Sequence, residues 1–435
     1  MKNDIENREN TIASNNVKVG IIGAGYVGLP LAASFAKHMA VKVYDINSKR
    51  ITHLKNDISS LDELAMYSLK NIIPIKFTSK IADLRDCNVY IIAVPTPVDE
   101  AKNPDLSALK SATRSVAGVI KEKDIIIFES TVYPGCTEEI CIPILEKVSK
   151  MEVNVDFFCG FSPERINPGD RNRTFSDIVK VVSGSNEAAL NKIDEIYKLV
   201  VKAGTHRAPN IKVAEASKII ENTQRDLNIA LINELTKLFD KLDINTNAVL
   251  KAALTKWNFL DFKPGLVGGH CIGVDPYYLT YKAKSARFHP EIILAGRKTN
   301  DEFHQFIAQK LIKALVKKRT NIIDAKILIL GCTFKEDCSD IRNSKVFDLY
   351  DELAQYGCNV SIYDPVASAK QIRDVYNIDI IENEPKEIYH GIIFAVPHAE
   401  LIDYCAVNIR EIIHQDTIVF DLKAKLDASI VDIEL

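Results

Sequence analysis

From position 17 onward, apolar residues fall in short runs separated by helix-length segments. The run at 17–22 is followed by a glycine turn, an apolar helical stretch at 29–38 and a second run at 41–44. Runs at 89–94, 125–129 and 179–183 have the short, bounded form of buried strands. Strands alternating with helices predict a parallel sheet covered on both faces. A second series begins at 326, with strands expected at 327–330, 360–363, 392–396 and 418–421 and a helix at 346–356. The fold class expected is therefore α/β, with two doubly wound, Rossmann-like domains.

Between the two series, residues 213–242 contain neither Gly nor Pro and place Leu227, Leu231, Leu235, Leu238 and Leu242 near helical spacing. A helix of that length would run roughly 45 Å, long enough to join two domains. Its leucine face suits a dimer seam. The following stretch, 257–276, is irregular and rich in Gly and Pro. The organisation expected is a flexible tail at 1–16, a nucleotide-binding domain at 17–205, a central helical domain at 206–315 and a second α/β domain at 316–435.

The chain has 435 residues, beyond the size at which a single core stops growing. Its formal net charge of −3 offers no basic face for nucleic acid or anionic lipid, which leaves small molecules as the expected partners. Residues 1–16 lack the apolar segment of a secretion signal, and no apolar run reaches membrane-spanning length, so a soluble cytoplasmic protein is expected. Cysteines at 87, 136, 141, 159, 271, 332, 338, 358 and 405 form no CxxC pair and have no histidine at zinc-site spacing. Reduced thiols and no metal are expected, with most thiols acting as small hydrophobes and room for one nucleophile.

The most specific local signal is GAGYVG at 23–28, which follows a strand, opens a helix and precedes a second strand ending in Asp45. Gly23 permits the tight turn, Gly25 lets a pyrophosphate approach the backbone, and Gly28 lets helix and strand pack closely. The helix N-terminus adds unpaired N–H groups for the phosphates. Asp45 would accept both ribose hydroxyls and repel a 2′-phosphate, so NAD is expected rather than NADP. Lys49 and Arg50 follow at once, either as solvated helix-face charges or as partners of that phosphate. A second signal is the segment 265–276, which sets one thiol, Cys271, among glycines. By itself Cys271 is either a nucleophile or packing. His270 beside it would point the opposite way in an extended segment and receives no chemical role.

Several further motifs complete the pattern: AVPTPV at 93–98, ESTVYPG at 129–135, SPERINPG at 162–169, EASKIIENT at 215–223, GGHCIGVDP at 268–276 and TFKED at 333–337. With GAGYVG, and in this order, they give a chain that resembles the UDP-glucose/GDP-mannose dehydrogenase family over nearly everything after residue 16. The resemblance implies an N-terminal NAD domain, a dimer core built on the long helix, and a C-terminal domain that helps bind a UDP-sugar. It implies oxidation of a C6 alcohol to a carboxylate with two NAD⁺ and one water, without a metal. Cofactor contacts are implied at Gly23, Gly25, Tyr26, Val27, Gly28, Asp45, Arg50, Pro95, Thr96 and Thr131.

The chemistry accounts for the remaining residue types. Oxidising a primary alcohol needs a group that removes the hydroxyl proton and stabilises the developing oxyanion. Lys218 and Asn222, four apart on the long helix, share one face; the resemblance gives them this task together with Thr131, and assigns Asp275 to act with the lysine. An aldehyde becomes oxidisable once a nucleophile adds, and a Cys271 thiolate would form a thiohemiacetal and then a thioester. Glu164 matches the family acid that helps water hydrolyse it.

Arg165, Lys335 and Arg342 match positions linked to the substrate, while Lys423 stands where many relatives carry Arg. The sequences SPERINPGD and ENTQRDLNIALINE, with Arg225 and Asp226, are more similar to members acting on UDP-GlcNAc or UDP-GalNAc than to UDP-glucose enzymes. Such members resemble enzymes that supply uronic acids for capsule or O-antigen polysaccharide. Two other classes fit parts of the sequence. A single-hydride β-hydroxyacid-type dehydrogenase would need neither Cys271 nor a second α/β domain, and a nucleotide-sugar-binding protein would need no intact set of chemical side chains.

Overall fold

The computed structural model describes residues 17–56, 74–165 and 174–435. They fall into two compact units, one within 1–221 plus 277–287 and the other comprising 222–276 plus 288–435. The expected tail at 1–16 lies outside the described residues.

The first unit contains β1 (Lys18–Ile22), α1 (Gly28–Phe35), β2 (Ala40–Tyr44), α2 (Ser48–Asn56), β3 (Lys76–Thr78), β4 (Val89–Ile92), α3 (Ser107–Ala117) and β5 (Ile125–Phe128). A π-helical turn at Thr137–Cys141 then runs into α4 (Ile142–Ser149), followed by β6 (Phe158–Phe161), β7 (Lys180–Gly184), α5 (Glu187–Lys198) and β8 (Thr205–Arg207). The sheet order is β3-β2-β1-β4-β5-β6-β7-β8. Its pairings are parallel except β6 with β7, where Gly160 faces Gly184 in antiparallel register. Strands β4 (VYII) and β5 (IIIF) are buried at every position, which explains their unbroken apolar runs: both faces of the sheet are covered. Helix α1 is likewise buried along its whole length.

The chain then forms α6 (Ile211–Lys241), α7 (Thr246–Ala253), α8 (Asp275–Ser285), α9 (Glu291–Asp301) and α10 (Phe303–Lys317). After these come β9 (Lys326–Leu330), α11 (Lys345–Gln355), β10 (Asn359–Tyr363), α12 (Ala369–Tyr376), β11 (Gly391–Phe394), α13 (Ala399–Asn408), β12 (Ile418–Asp421) and β13 (Ile433–Glu434). The second sheet, in the order β10-β9-β11-β12-β13, is parallel throughout. Strands β3, β8 and β13 have no counterpart in the periodicity because each holds only two or three residues, and β6 (FCGF) because a glycine interrupts its apolar run.

Helix α6 starts two residues before the expected 213, and the chain passes from one unit to the other within it. In the second unit its buried positions are Thr223, Asp226, Ala230, Ile232, Asn233 and Thr236, whereas Leu231 is 56% and Leu238 47% exposed. The helix therefore packs a largely polar side inward and turns Leu231 and Leu238 outward, with Leu227 and Leu235 half-buried, unlike an ordinary surface helix.

Candidate active site

In the first unit, β1 pairs with β2 on one side and β4 on the other, so the strand order reverses at β1/β4. A crevice at the carboxyl ends of strands at such a point is where nucleotides bind in open α/β sheets. The motifs GAGYVG, AVPTPV, ESTVYPG and SPER follow β1, β4, β5 and β6 respectively, and thus gather at that edge.

The glycine turn has the shape the cofactor needs. A Cβ on Gly28 would lie 1.9 Å from the Gly23 carbonyl oxygen, and one on Gly23 would lie 2.5 Å from that of Ala93. A Cβ on Gly25 would meet nothing within 4 Å, so this exposed backbone is open to a ligand. Helix α1 begins without a side-chain cap and without an acid in its first turn, which leaves N–H groups for an anion. Asp45, just past β2, accepts from the Ala24 N–H at 2.8 Å through one oxygen and from the Asn47 N–H at 2.8 Å through the other. Each oxygen keeps a second lone pair for a ribose hydroxyl. Arg50 donates from Nε to the Ala24 carbonyl at 3.2 Å, so it belongs to the turn. These residues fit NAD. Replacing Asp45 by Asn should weaken NAD binding about tenfold or more, the scale of a lost charge-assisted bond; equal affinity in a titration would contradict it.

Beyond the turn, Thr96 donates its hydroxyl to the Thr131 carbonyl at 2.6 Å, and Ser130 donates to the Val94 carbonyl at 2.7 Å. The Tyr278 hydroxyl of α8 donates to the Thr96 carbonyl. Pro95 and Tyr26 are exposed along this edge, and Val27 is half-buried.

Glu164 is buried beside a charge cluster that sequence reasoning missed. Lys180, 3% exposed, donates to Glu129 at 2.7 Å and to the Pro163 carbonyl at 3.0 Å, and stands 3.8 Å from Glu164. Arg165 forks onto Glu221 of α6 (2.7 and 3.2 Å) and donates to the Val179 carbonyl at 2.9 Å, so it ties the SPER loop to the long helix. Lys218 is half-buried on α6, and Glu215, three residues before it, accepts from the Gly135 and Thr137 N–H groups at 2.5 and 2.9 Å.

Glu129 and Glu215 are both pushed up to about 7 by burial. The folded protein therefore holds protons that the unfolded chain releases above the ordinary value of 4.5. The stability linked to these two groups is fully present below that value and is lost as pH rises through about 7. Glu215→Gln should flatten the fall of thermal stability across this window, by up to ~3 kcal/mol. Parallel wild-type and variant profiles would contradict the assignment.

In the second unit, residues 269–274 form consecutive turns leading into α8, not the extended segment expected around His270. The N–H groups of Val274 and Asp275 both donate to the Cys271 carbonyl, at 3.1 and 2.8 Å. Cys271 thus lies one turn before the N-terminus of α8, where an anion is favoured. It is partly exposed, as is Cys338, while the other seven cysteines are buried and none forms a disulfide. His270 stacks edge-on against Phe334, with Nδ1 3.5 Å from Asp340, so its contacts are with the C-terminal domain. The buried Asp275 accepts from the Asn222 amide at 2.6 Å, which brings together two of the expected chemical residues.

The loop's glycines also serve a purpose other than the ligand approach expected. A Cβ on Gly268 would lie 2.4 Å from the Asn343 carbonyl oxygen, so the loop lies flat on protein backbone. Asn233 clamps the loop's start, donating to the Gly265 carbonyl at 3.0 Å and accepting its N–H at 2.9 Å. Asn300 binds Asn233 at 2.8 Å and Asp226 at 2.7 Å, and Arg297 binds Asp226 at 2.6 Å. Asp226 is thus an internal anchor, whereas its neighbour Arg225 is exposed.

The second sheet reverses order between β9 and β11, and a cleft of about 40 Å³ sits there, lined among others by Leu266, Gly268, Lys335, Lys345, Val396 and Lys423. Lys335 and Lys423 both line this cleft. Arg342 lies outside this lining, forking onto Asp340 at 2.5 to 3.0 Å.

The second sheet also repeats the latch of the first. Gly331 donates to the Tyr363 carbonyl as Gly23 does to that of Tyr44, and the Cys332 N–H donates to Asp364 as Ala24 does to Asp45. Here the carboxylate is covered by the buried imidazole of His398, with Nε2 3.2 Å away. Among the described residues, no group of three or more His, Cys, Asp or Glu is placed to hold a metal.

Comparison with known proteins follows this layout. Residues 17–201 match the NAD binding domain of the UDP-glucose/GDP-mannose dehydrogenase family, residues 212–302 its central domain and residues 328–428 its UDP binding domain. The chain belongs to this family. The UDP-N-acetyl-D-glucosamine 6-dehydrogenase of Pseudomonas aeruginosa is 51% identical over 420 residues, covering 97% of this chain and all of that protein. Its namesake from Salmonella typhi is 49% identical over 421 residues, with 97% and 99% covered. The solved structure of the UDP-D-ManNAc dehydrogenase from Pyrococcus horikoshii superposes with a TM-score of 0.84 at 29% identity, over 96% of this chain and 98% of that one. The enzyme is an NAD-dependent oxidoreductase acting on a UDP-sugar, and among its described residues no helix is long and apolar enough to cross a membrane.

Proposed function

We propose that the enzyme oxidises the C6 alcohol of a UDP-N-acetylhexosamine, UDP-GlcNAc or UDP-GalNAc, to the uronic acid in two successive two-electron steps. The observation that carries this reading is the end-to-end match, at 51% and 49% identity, to two UDP-N-acetyl-D-glucosamine 6-dehydrogenases. Cys271, Lys218, Asn222, Asp275, Glu164 and Thr131, the residues that the family resemblance singles out, offer side chains suited to this chemistry. NAD⁺ held at the glycine turn supplies the hydride acceptor for each step.

Lys218 and Asn222, one turn apart on α6, stabilise the substrate oxygen as it loses its proton, with Thr131 in the same polar cluster and Asp275 held ready by the Asn222 amide. The Cys271 thiolate then adds to the aldehyde carbon, and the carbonyl electron pair moves to oxygen. After the second oxidation a thioester remains. Water, deprotonated by Glu164, attacks its carbonyl; the C–S bond breaks, the thiolate returns to Cys271 and the carboxylate leaves. Lys335 and Lys423 hold the diphosphate at the second sheet. Arg165 serves substrate binding indirectly, since Glu221 already holds its guanidinium.

The exposed Leu231 and Leu238 support a homodimer or higher oligomer joined along α6. The absence of an apolar membrane-spanning helix among the described residues and the nucleotide-linked substrate support a cytoplasmic role, supplying uronic acids for capsule or O-antigen polysaccharide. The test is a panel of UDP-glucose, UDP-GlcNAc, UDP-GalNAc and UDP-ManNAc under identical conditions. An N-acetylhexosamine of gluco or galacto configuration should exceed the others in kcat/KM by about tenfold or more, the worth of one satisfied polar group. A preference for UDP-glucose or UDP-ManNAc would replace the substrate, and a flat trace despite NAD binding would replace the activity.

A further inference from the structure

The charge cluster behind Glu164 has no part in the chemistry described so far. Lys180 projects from β7, a strand that is otherwise apolar apart from Ser183 and Gly184. Its ammonium lies between two carboxylates, Glu129 at 2.7 Å and Glu164 at 3.8 Å, and over the rings of Phe175 and Tyr197 at 5.0 and 5.4 Å. Glu129 is closed off on its far side by the hydroxyl of the buried Tyr197. Lys180 further anchors the loop bearing Glu164 by donating to the carbonyl of Pro163, the preceding residue. Among the described residues, the charged and titratable groups near Glu164 include Lys180 from β7, Glu129 at the end of β5, Tyr197 from α5, and the Arg165–Glu221 pair joining its own loop to α6. One buried ammonium cannot fully compensate two buried carboxylates, so the two compete for it.

We propose that Lys180 is a positioning residue that holds Glu164 ionised for hydrolysis of the Cys271 thioester, with Glu129 as the competing carboxylate that tunes how much of the lysine's charge Glu164 receives. Burial raises Glu129 while the charge and hydrogen bond of Lys180 lower it, so its carboxylate draws on the same ammonium that faces Glu164. Glu129 and Lys180 are almost fully buried and Glu164 keeps only slight exposure, which makes the coupling strong compared with a surface pair. The inference rests on Glu164 being the hydrolytic base.

Opposite substitutions separate this role from simple support of the fold. Lys180→Met removes the cation from both carboxylates. The acidic limb of the kcat profile should move up by about one pH unit or more, and the first turnover should show a burst of NADH as thioester accumulates. Lys180→Arg should restore the limb towards its wild-type position. Glu129→Gln leaves the lysine to Glu164 alone and should move the limb down. A merely structural lysine would lower stability in these variants without moving the limb in either direction, and that result would overturn the proposal. If Lys180→Met does not fold, the sign of the Glu129→Gln shift decides: downward supports the proposal, no shift or an upward one overturns it. Glu164→Gln separates the two layers, because unimpaired hydrolysis in that variant removes Glu164 as base whatever Lys180 does.

Discussion

Cys271→Ser should reduce steady-state turnover by at least ~10³-fold, the scale seen when a covalent nucleophile is removed, while leaving NAD affinity unchanged. A serine hydroxyl is a far weaker nucleophile near neutral pH than a thiolate, and the local backbone has no reason to change. The turn that opens α8 is closed on the Cys271 carbonyl, which a serine keeps, so the loop should keep its shape. The variant is also expected to release substoichiometric NADH at the aldehyde stage, because the first oxidation needs no thiol. NAD titration and a single-turnover NADH measurement check both halves. Wild-type turnover would remove the covalent mechanism, and loss of NAD binding would show that the residue supports structure.

The second large effect is a contrast between two glycines of one turn. Gly28→Ala places a methyl 1.9 Å from a backbone oxygen and 3.3 Å from Ile21. Backbone cannot yield as a flexible side chain can, so α1 must move off β1, at an overpacking cost of ~3 kcal/mol or more. Both stability and NAD binding should fall. Gly25→Ala meets nothing within 4 Å, so the protein should melt like the wild type. NAD should nevertheless bind at least ~100-fold more weakly, because the methyl occupies the path by which the pyrophosphate approaches the backbone. Thermal melts and NAD titrations on the pair decide it. If Gly25→Ala binds NAD normally, the pyrophosphate lies elsewhere.

The glycine turn was legible in the sequence because everything it needs lies within 23 residues: turn, helix start and terminal acid. The cysteine loop was legible for a similar reason, a single thiol in a compact motif. What escaped depends on pairing across the sheet or between distant helices. Lys180 and Glu129 are 51 residues apart and meet because β7 and β5 belong to one sheet. Asn233 and Gly265 are 32 apart, and nothing in either segment announces the clamp. Arg225 and Asp226 show the limit of reading neighbours together. Adjacent residues on a helix point about 100° apart, and here one is exposed while the other is buried. The echo between the two domains was hidden because TFKED replaces GAGYVG in letters while the Gly331 and Asp364 backbone bonds repeat those of Gly23 and Asp45.

The electrostatics of the two carboxylate-bearing domains follow the same logic. Asp45 is half-buried and keeps lone pairs for a ligand, whereas Asp364 is covered by His398: burial works to raise it, but the hydrogen bond and charge of His398 hold it below the usual carboxylate range. One latch is open on its far side, and its counterpart is closed by a side chain.

Counting NADH released per UDP-sugar consumed, with UDP-GlcNAc or UDP-GalNAc limiting, bears most directly on the four-electron oxidation. Two NADH per sugar, with a uronic acid as the product, is the expected result. One NADH per sugar with an aldehyde left in solution would contradict it.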